Sequence, residues 1–176
     1  MRVFARVMIL VSMVFAYSYA GNVKYASKVK SLYKDGSDKV VGRLLPTAQV
    51  EVLEQKGDKQ VALYYVSNRR ILNAGFSKNA DVEFKILESF KESESKQEWV
   101  KASVELWSEN ADLVESVEPL YKEAQELFGN CSVCHALHPP KEFNANQWPS
   151  VVKSMKSRVG YDSNQEYLVS QYLQVS

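Results

Sequence analysis

The chain has 176 residues, 45% of them hydrophobic, with ten Tyr, seven Phe and three Trp, enough apolar material for real cores and too much for a disordered tail. Its 22 basic residues nearly balance 21 acidic ones, so the charge points to neither a nucleic-acid nor an anionic-lipid partner.

At the N-terminus Arg2 and Arg6 precede the apolar run VMILVSMVFA, and YSYA then offers Ser18 and Ala20 ahead of a cleavage point. This is the pattern of a secretory signal peptide over residues 1–20. The apolar run is shorter than the roughly 17–25 residues that cross a bilayer, and no second such run follows. The expectation is a periplasmic protein with no stable membrane span after cleavage.

From Asn22 to about Val117 the pattern is period two, in short runs broken by turns: KDGSD, VVGRLLP, AQVEVLEQKGDKQVALYYV, DVEFKILESF and EWVKASVELW. Val, Tyr and Trp alternate there with Lys, Glu and Gln, which suits half-buried antiparallel strands. The Gly-Asp pair between Leu53 and Gln60 is a hairpin signal. A small β-barrel or sandwich is therefore expected over 21–117. The stretch from KDGSD to ALYYV resembles a bacterial SH3-like domain, which implies binding or spacing rather than catalysis.

After Glu118 the period becomes helical. In EPLYKEAQELFGNC, Leu120, Tyr121, Ala124, Leu127 and Phe128 recur at three- and four-residue spacings, with Pro119 able to open the helix and Gly129 to end it. A second helix is expected from Trp148 to Arg158, with Pro149 tolerated in its first turn. A third is expected from Asn164 to Gln174, capped by Ser163 and Glu166. The fold class is thus α+β, with a helical domain at 118–176 that is too small to rely on its own core.

Both cysteines and both histidines of the chain fall in GNCSVCHALHPP. A disulfide between Cys131 and Cys134 would close a very short loop and remove little unfolded-state entropy. A thioredoxin-like pair lacks its βαβ surroundings. A zinc site would need Cys131, Cys134, His135 and His138 to surround an ion without the spacing loop such sites use. Covalent haem c fits best, because Cys-x-x-Cys-His is its attachment sequence. Two thiols at that spacing reach two vinyl groups on one porphyrin edge, and the adjacent imidazole of His135 turns under the plane to the iron.

For the opposite face of the haem, Met1, Met8 and Met13 lie in the leader, which leaves Met155. His138 stands too close to His135 to cross the ring easily, so Met155 is the expected distal ligand, with a core thioether as its plainer role. Trp148 either packs on the porphyrin or fills the core, and His138 either meets a propionate or faces solvent. Lys141, Lys153, Lys156 and Arg158 flank these positions and either guide docking or form a solvated face.

The words CSVCHALHPPKEFNANQWPSVVKSMKSR, with FNANQW and the Met155 spacing as their distinctive parts, resemble the C-terminal monohaem module of pentahaem c-type cytochromes that serve trimethylamine N-oxide and related S- or N-oxide reductases. The resemblance reaches from roughly Val40 to the end and carries over Cys131, Cys134, His135 and Met155. It implies electron transfer to a periplasmic molybdenum oxidoreductase rather than enzyme catalysis. Such cytochromes carry a tetrahaem part ahead of this module, whereas this sequence holds one Cys-x-x-Cys-His. The implied donor is therefore a separate cytochrome or quinol-oxidising protein. Two rivals remain at this stage: a haem-based sensor with a displaceable distal ligand, and a small peroxidase with His138 as its acid/base group.

Overall fold

The computed structural model describes residues 22–56, 60–66, 74–91 and 98–176. The expected leader and the tip of the expected hairpin at 57–59 lie outside those residues. Among the described residues nine strands come first: β1 (Asn22–Ala26), β2 (Lys30–Tyr33), β3 (Val40–Leu44), β4 (Gln49–Lys56), β5 (Gln60–Val66), β6 (Ala74–Phe76), β7 (Lys85–Lys91), β8 (Glu98–Ser108) and β9 (Leu113–Val114). Three helices follow, α1 (Glu118–Gly129), α2 (Trp148–Val159) and α3 (Ser163–Val175).

The strands form one curled, half-barrel sheet in the order β6-β3-β2-β8-β5-β4-β1-β9, with β7 on β8 beside that path. All pairings are antiparallel; β4 and β5 form the hairpin expected around the Gly-Asp turn, with Lys56 opposite Gln60 and Val50 opposite Tyr65. The long strand β8 pairs with β7 over Glu98–Ser103, with β5 over Ser103–Ser108 and with β2 at Trp107. Leu32, Leu44, Val50, Val104 and Leu106 point to one side of the sheet and make its core with Ala26 and Ala48. Gly42 is required where β3 meets β6: a Cβ there would stand 2.7 Å from the Gly75 carbonyl and 2.8 Å from the Phe76 ring.

The helices follow the sequence with one shift of register, at the cap of α3. Pro119 sits in the first turn of α1, as expected, and Leu120, Ala124 and Phe128 form its buried stripe. Gly129 is the last residue of that helix, as expected, and the backbone stays right-handed through Asn130 and tightens into a 3-10 turn over Asn130–Val133. At α3 the capping box lies one residue earlier than expected. Asp162, in extended conformation, accepts from the Gln165 backbone while the Gln165 side chain reaches back to the Asp162 N–H. Gly160, at φ +74°, is the true stop signal and reverses the chain between α2 and α3.

The helices share a buried seam with the sheet. Leu120, Ala124 and Leu168 pack with Tyr25 of β1 and Val114 of β9. The Val29 N–H donates to Asn164 Oδ1 at 2.8 Å, and the Arg43 guanidinium lies 5.5 Å from the Tyr167 ring centre. Thr47, in the turn between β3 and β4, donates its hydroxyl to Gln171 Oε1 of α3 and also hydrogen bonds the Tyr121 phenol of α1. Thr47 holds a left-handed φ of +66°, costly for a β-branched residue by roughly 1–3 kcal/mol. The contacts that hold it therefore also fix where α1 and α3 sit. Among the described residues no helix is long and apolar enough to cross a membrane.

Candidate functional site

The amphipathic period of α1 carries the chain into the 3-10 turn, and that turn presents Cys131 inward and Cys134 outward. Cys131 is half-buried against the helical core, Cys134 is exposed, and both are free thiols. The Ser132 hydroxyl holds the turn by donating to the Gly129 carbonyl at 2.7 Å.

Behind the turn lies a pocket of about 150 Å³, mostly apolar, whose wall brings together Phe128, Cys131, His135, His138, Trp148 and Met155, with Tyr161 at its base. Cys131, His135, His138, Trp148 and Met155, all singled out in the sequence, thus line one pocket, and Cys134 is not among its lining residues. Leu137 of its lining is 39% exposed, and Val133 in the 3-10 turn is 82% exposed.

The two imidazoles are polarised the same way. His135 Nδ1 lies 2.7 Å from the Ala136 carbonyl, and a carbonyl can only accept, so Nδ1 carries the proton and Nε2 keeps a free lone pair. His138 Nδ1 lies 2.9 Å from Glu142 Oε2, which leaves its Nε2 free in the same sense. The rings of His135 and His138 are 5.1 Å apart, and an aromatic series continues inward through Phe143 and Trp148 to Phe128 at centroid spacings of 5.3, 5.0 and 6.0 Å. His138 is therefore neither solvated freely nor isolated: Glu142 and Phe143 hold it beside the pocket.

Trp148 is 1% exposed and fills the core, where it also lines the pocket. Its indole N–H donates to the Pro140 carbonyl at 3.0 Å and pins the Pro-Pro loop to α2. Met155, about two turns further along α2, is partly buried. Of the four expected docking cations, Lys156 is committed inside the domain, bonded to Glu166 at 2.7 Å and to the Ser163 hydroxyl. Lys141, Lys153 and Arg158 are exposed.

Tyr161 is the residue that sequence reading misses. The reversal at Gly160 swings it back over the end of α1, where its hydroxyl donates to the Leu127 carbonyl and its oxygen lies 3.8 Å from Cys131 Sγ. Burial pushes its phenol well above the ordinary tyrosine range, and the hydrogen bond and charge of Cys131 add to the shift. No motif links positions 131 and 161; the fold alone brings them together.

Among the described residues, no cluster of three or more His, Cys, Asp or Glu side chains converges on a point where a metal ion could sit. The donors arranged here are two thiols at attachment spacing, one imidazole lone pair beside them, and a thioether on α2. Cys131, His135 and Met155 of that set line the pocket, and Cys134 closes the turn that carries Cys131.

The chain is similar to relatives named as cytochrome c-type proteins. It is 27% identical over 173 residues to the cytochrome c-type protein TorC of Escherichia coli K12, and equally to that of Escherichia coli O157:H7, an alignment covering 89% of this chain and 44% of the relative. It is 23% identical over 168 residues to the cytochrome c-type protein TorY of Haemophilus influenzae, covering 88% of this chain and 45% of that protein. The chain thus spans less than half the length of these relatives. No family profile matches it, and no solved structure does.

Proposed function

We propose that this chain is a monohaem c-type cytochrome that carries single electrons to a periplasmic molybdenum oxidoreductase of the S- or N-oxide type and is refilled by a separate cytochrome or quinol-oxidising protein. The observation that carries this reading is the pairing of Cys131-x-x-Cys134-His135 on one short turn with a His135 ring whose Nδ1 proton is already spent on a carbonyl. The similarity to cytochrome c-type proteins supports it.

The residues fit haem c. Cys131 and Cys134 would hold it by thioether bonds, and His135 Nε2 would bind iron in the tautomer its Ala136 contact enforces. Met155 would take the opposite side, and Trp148 would lie against the porphyrin. The enclosed volume of about 150 Å³ is below the 300–1,000 Å³ usual for ligand pockets, so one edge of so large a group would remain at the surface beside Leu137. When bound, haem supplies a one-electron iron couple, and Met/His ligation raises its potential relative to bis-His ligation and leaves no open position.

The chain's own part is to fix the ligands, bury one face and leave an edge for partners. Trp148 and the Pro140 carbonyl hold the loop still, and the seam at Thr47 and Gln171 holds the helices on the sheet. The β-rich, SH3-like part would dock or space the haem part against its partner. Export through the leader at 1–20 would place the haem in the periplasm.

The test is direct. Ferrous protein is mixed with a purified molybdenum S-/N-oxide reductase and its oxide substrate, and the haem bands are followed. Oxidation of two ferrous chains per oxide reduced is expected; a haem that stays ferrous in its presence would reject the acceptor.

A further inference from the structure

We infer that Tyr161 is a positioning residue that selects Cys131, and not Cys134, as the cysteine held ready in the pocket for thioether formation; this rests on the haem reading above. The geometry is specific in its proton directions. Tyr161 has one hydroxyl proton, and the Leu127 carbonyl takes it, since a carbonyl cannot donate. The contact between Cys131 Sγ and the Tyr161 oxygen at 3.8 Å is therefore made with the thiol as donor. Tyr161 is itself fixed from both sides, by its Leu127 bond and by the left-handed Gly160 before it. Cys134, at the end of the 3-10 turn, is exposed.

The two thiols thus differ before any haem arrives. Cys131 is oriented toward the pocket with its S–H engaged. In attachment that S–H adds across a vinyl C=C: sulfur bonds the carbon next to the porphyrin ring, the hydrogen ends on the terminal carbon, and nothing is oxidised or reduced. The resulting thioether has no proton to give, so the Cys131 to Tyr161 hydrogen bond exists only before attachment. Tyr161 acts on the site's formation and leaves the finished ligand set of the iron untouched.

The experiment compares the full exported chain with its Tyr161→Phe variant, produced in a haem-attaching bacterial host, by peptide mass mapping and by the haemochrome absorption band in alkaline pyridine, which moves to longer wavelength when one vinyl group stays free. Wild type is expected to carry haem on both cysteines. The variant is expected to show about a fivefold fall in haem bonded through Cys131, the scale of one neutral hydrogen bond, with bonding through Cys134 retained and the pyridine band displaced.

Single-cysteine backgrounds separate this from a folding effect. Tyr161→Phe should lower attachment in a Cys134→Ser chain and leave it unchanged in a Cys131→Ser chain. Equal occupancy of both cysteines in the variant, or an equal fall in both backgrounds, would overturn the inference. A wild-type chain without covalent haem would overturn the haem reading itself, which is a separate outcome.

Discussion

Thr47 of the β3–β4 turn and Gln171 of α3 meet in a buried side-chain hydrogen bond at the seam between strands and helices. Thr47 supplies the donor, and the amide nitrogen of Gln171 is left without a partner. Replacing Thr47 by Val removes the donor and leaves both amide atoms of Gln171 buried and unpaired, a loss of about 1–3 kcal/mol. Gln171→Leu removes the unpaired nitrogen together with the bond, so it should cost less. Thermal unfolding of the two variants checks the order, and a Gln171→Leu chain less stable than Thr47→Val would refute it.

Where β3 pairs with β6, Gly42 opposite Phe76 leaves no room for a side chain, whereas Gly75 opposite Arg43 has nothing within 4 Å of its Cβ position. Gly42→Ala should therefore lose roughly 1–3 kcal/mol through displaced backbone. Gly75→Ala should be near neutral. Denaturant midpoints measure both, and equal midpoints would show that the β3–β6 approach yields more easily than its geometry indicates.

Met155 is tested as the distal ligand by Met155→Ala. Haem should stay covalently attached, while the ferric spectrum turns high-spin, the potential falls and the ferrous form binds carbon monoxide. An unchanged spectrum would make Met155 a core thioether and move attention to His138, whose free Nε2 faces the same pocket.

Alkaline pH should act through tyrosine. Burial raises the Tyr161 and Tyr121 phenols, so the folded state keeps their protons after the unfolded chain has lost them. The stability they contribute is fully present below about pH 10, the unfolded tyrosine value, and is lost as pH rises from there through the folded values. Lys30 has the opposite sign: burial lowers its pKa, with Asp112 and Glu109 offsetting in part, so stability rises with pH between its folded and unfolded values. Melting temperatures between pH 8 and 12 should therefore fall less steeply in Tyr161→Phe than in wild type. Parallel curves would contradict the burial of this phenol.

The sequence disclosed what depends on local period and missed what depends on register or distance. Trp148 and Pro149 marked the start of α2, because an apolar period and a first-turn proline are local signals. The cap of α3 was misread because Asp162 with Gln165 and Ser163 with Glu166 are overlapping box patterns. The choice fell to the reversal at Gly160 and to Lys156, which engages Ser163 and Glu166. The pairing of Tyr33 with Trp107 joins strands far apart in sequence, and alternation alone cannot choose such partners. The cysteine and histidine positions were legible as a motif, yet the Ala136 carbonyl that sets the His135 tautomer and the Tyr161 hydroxyl beside Cys131 exist only in the folded chain.

The most direct test of the account is the intact mass of the exported protein after acid–acetone extraction, which removes haem that is not covalently held. The account predicts a chain heavier than its mature polypeptide by one haem, with the added mass on the peptide carrying Cys131 and Cys134. A chain at the bare polypeptide mass, with both thiols free, would contradict it.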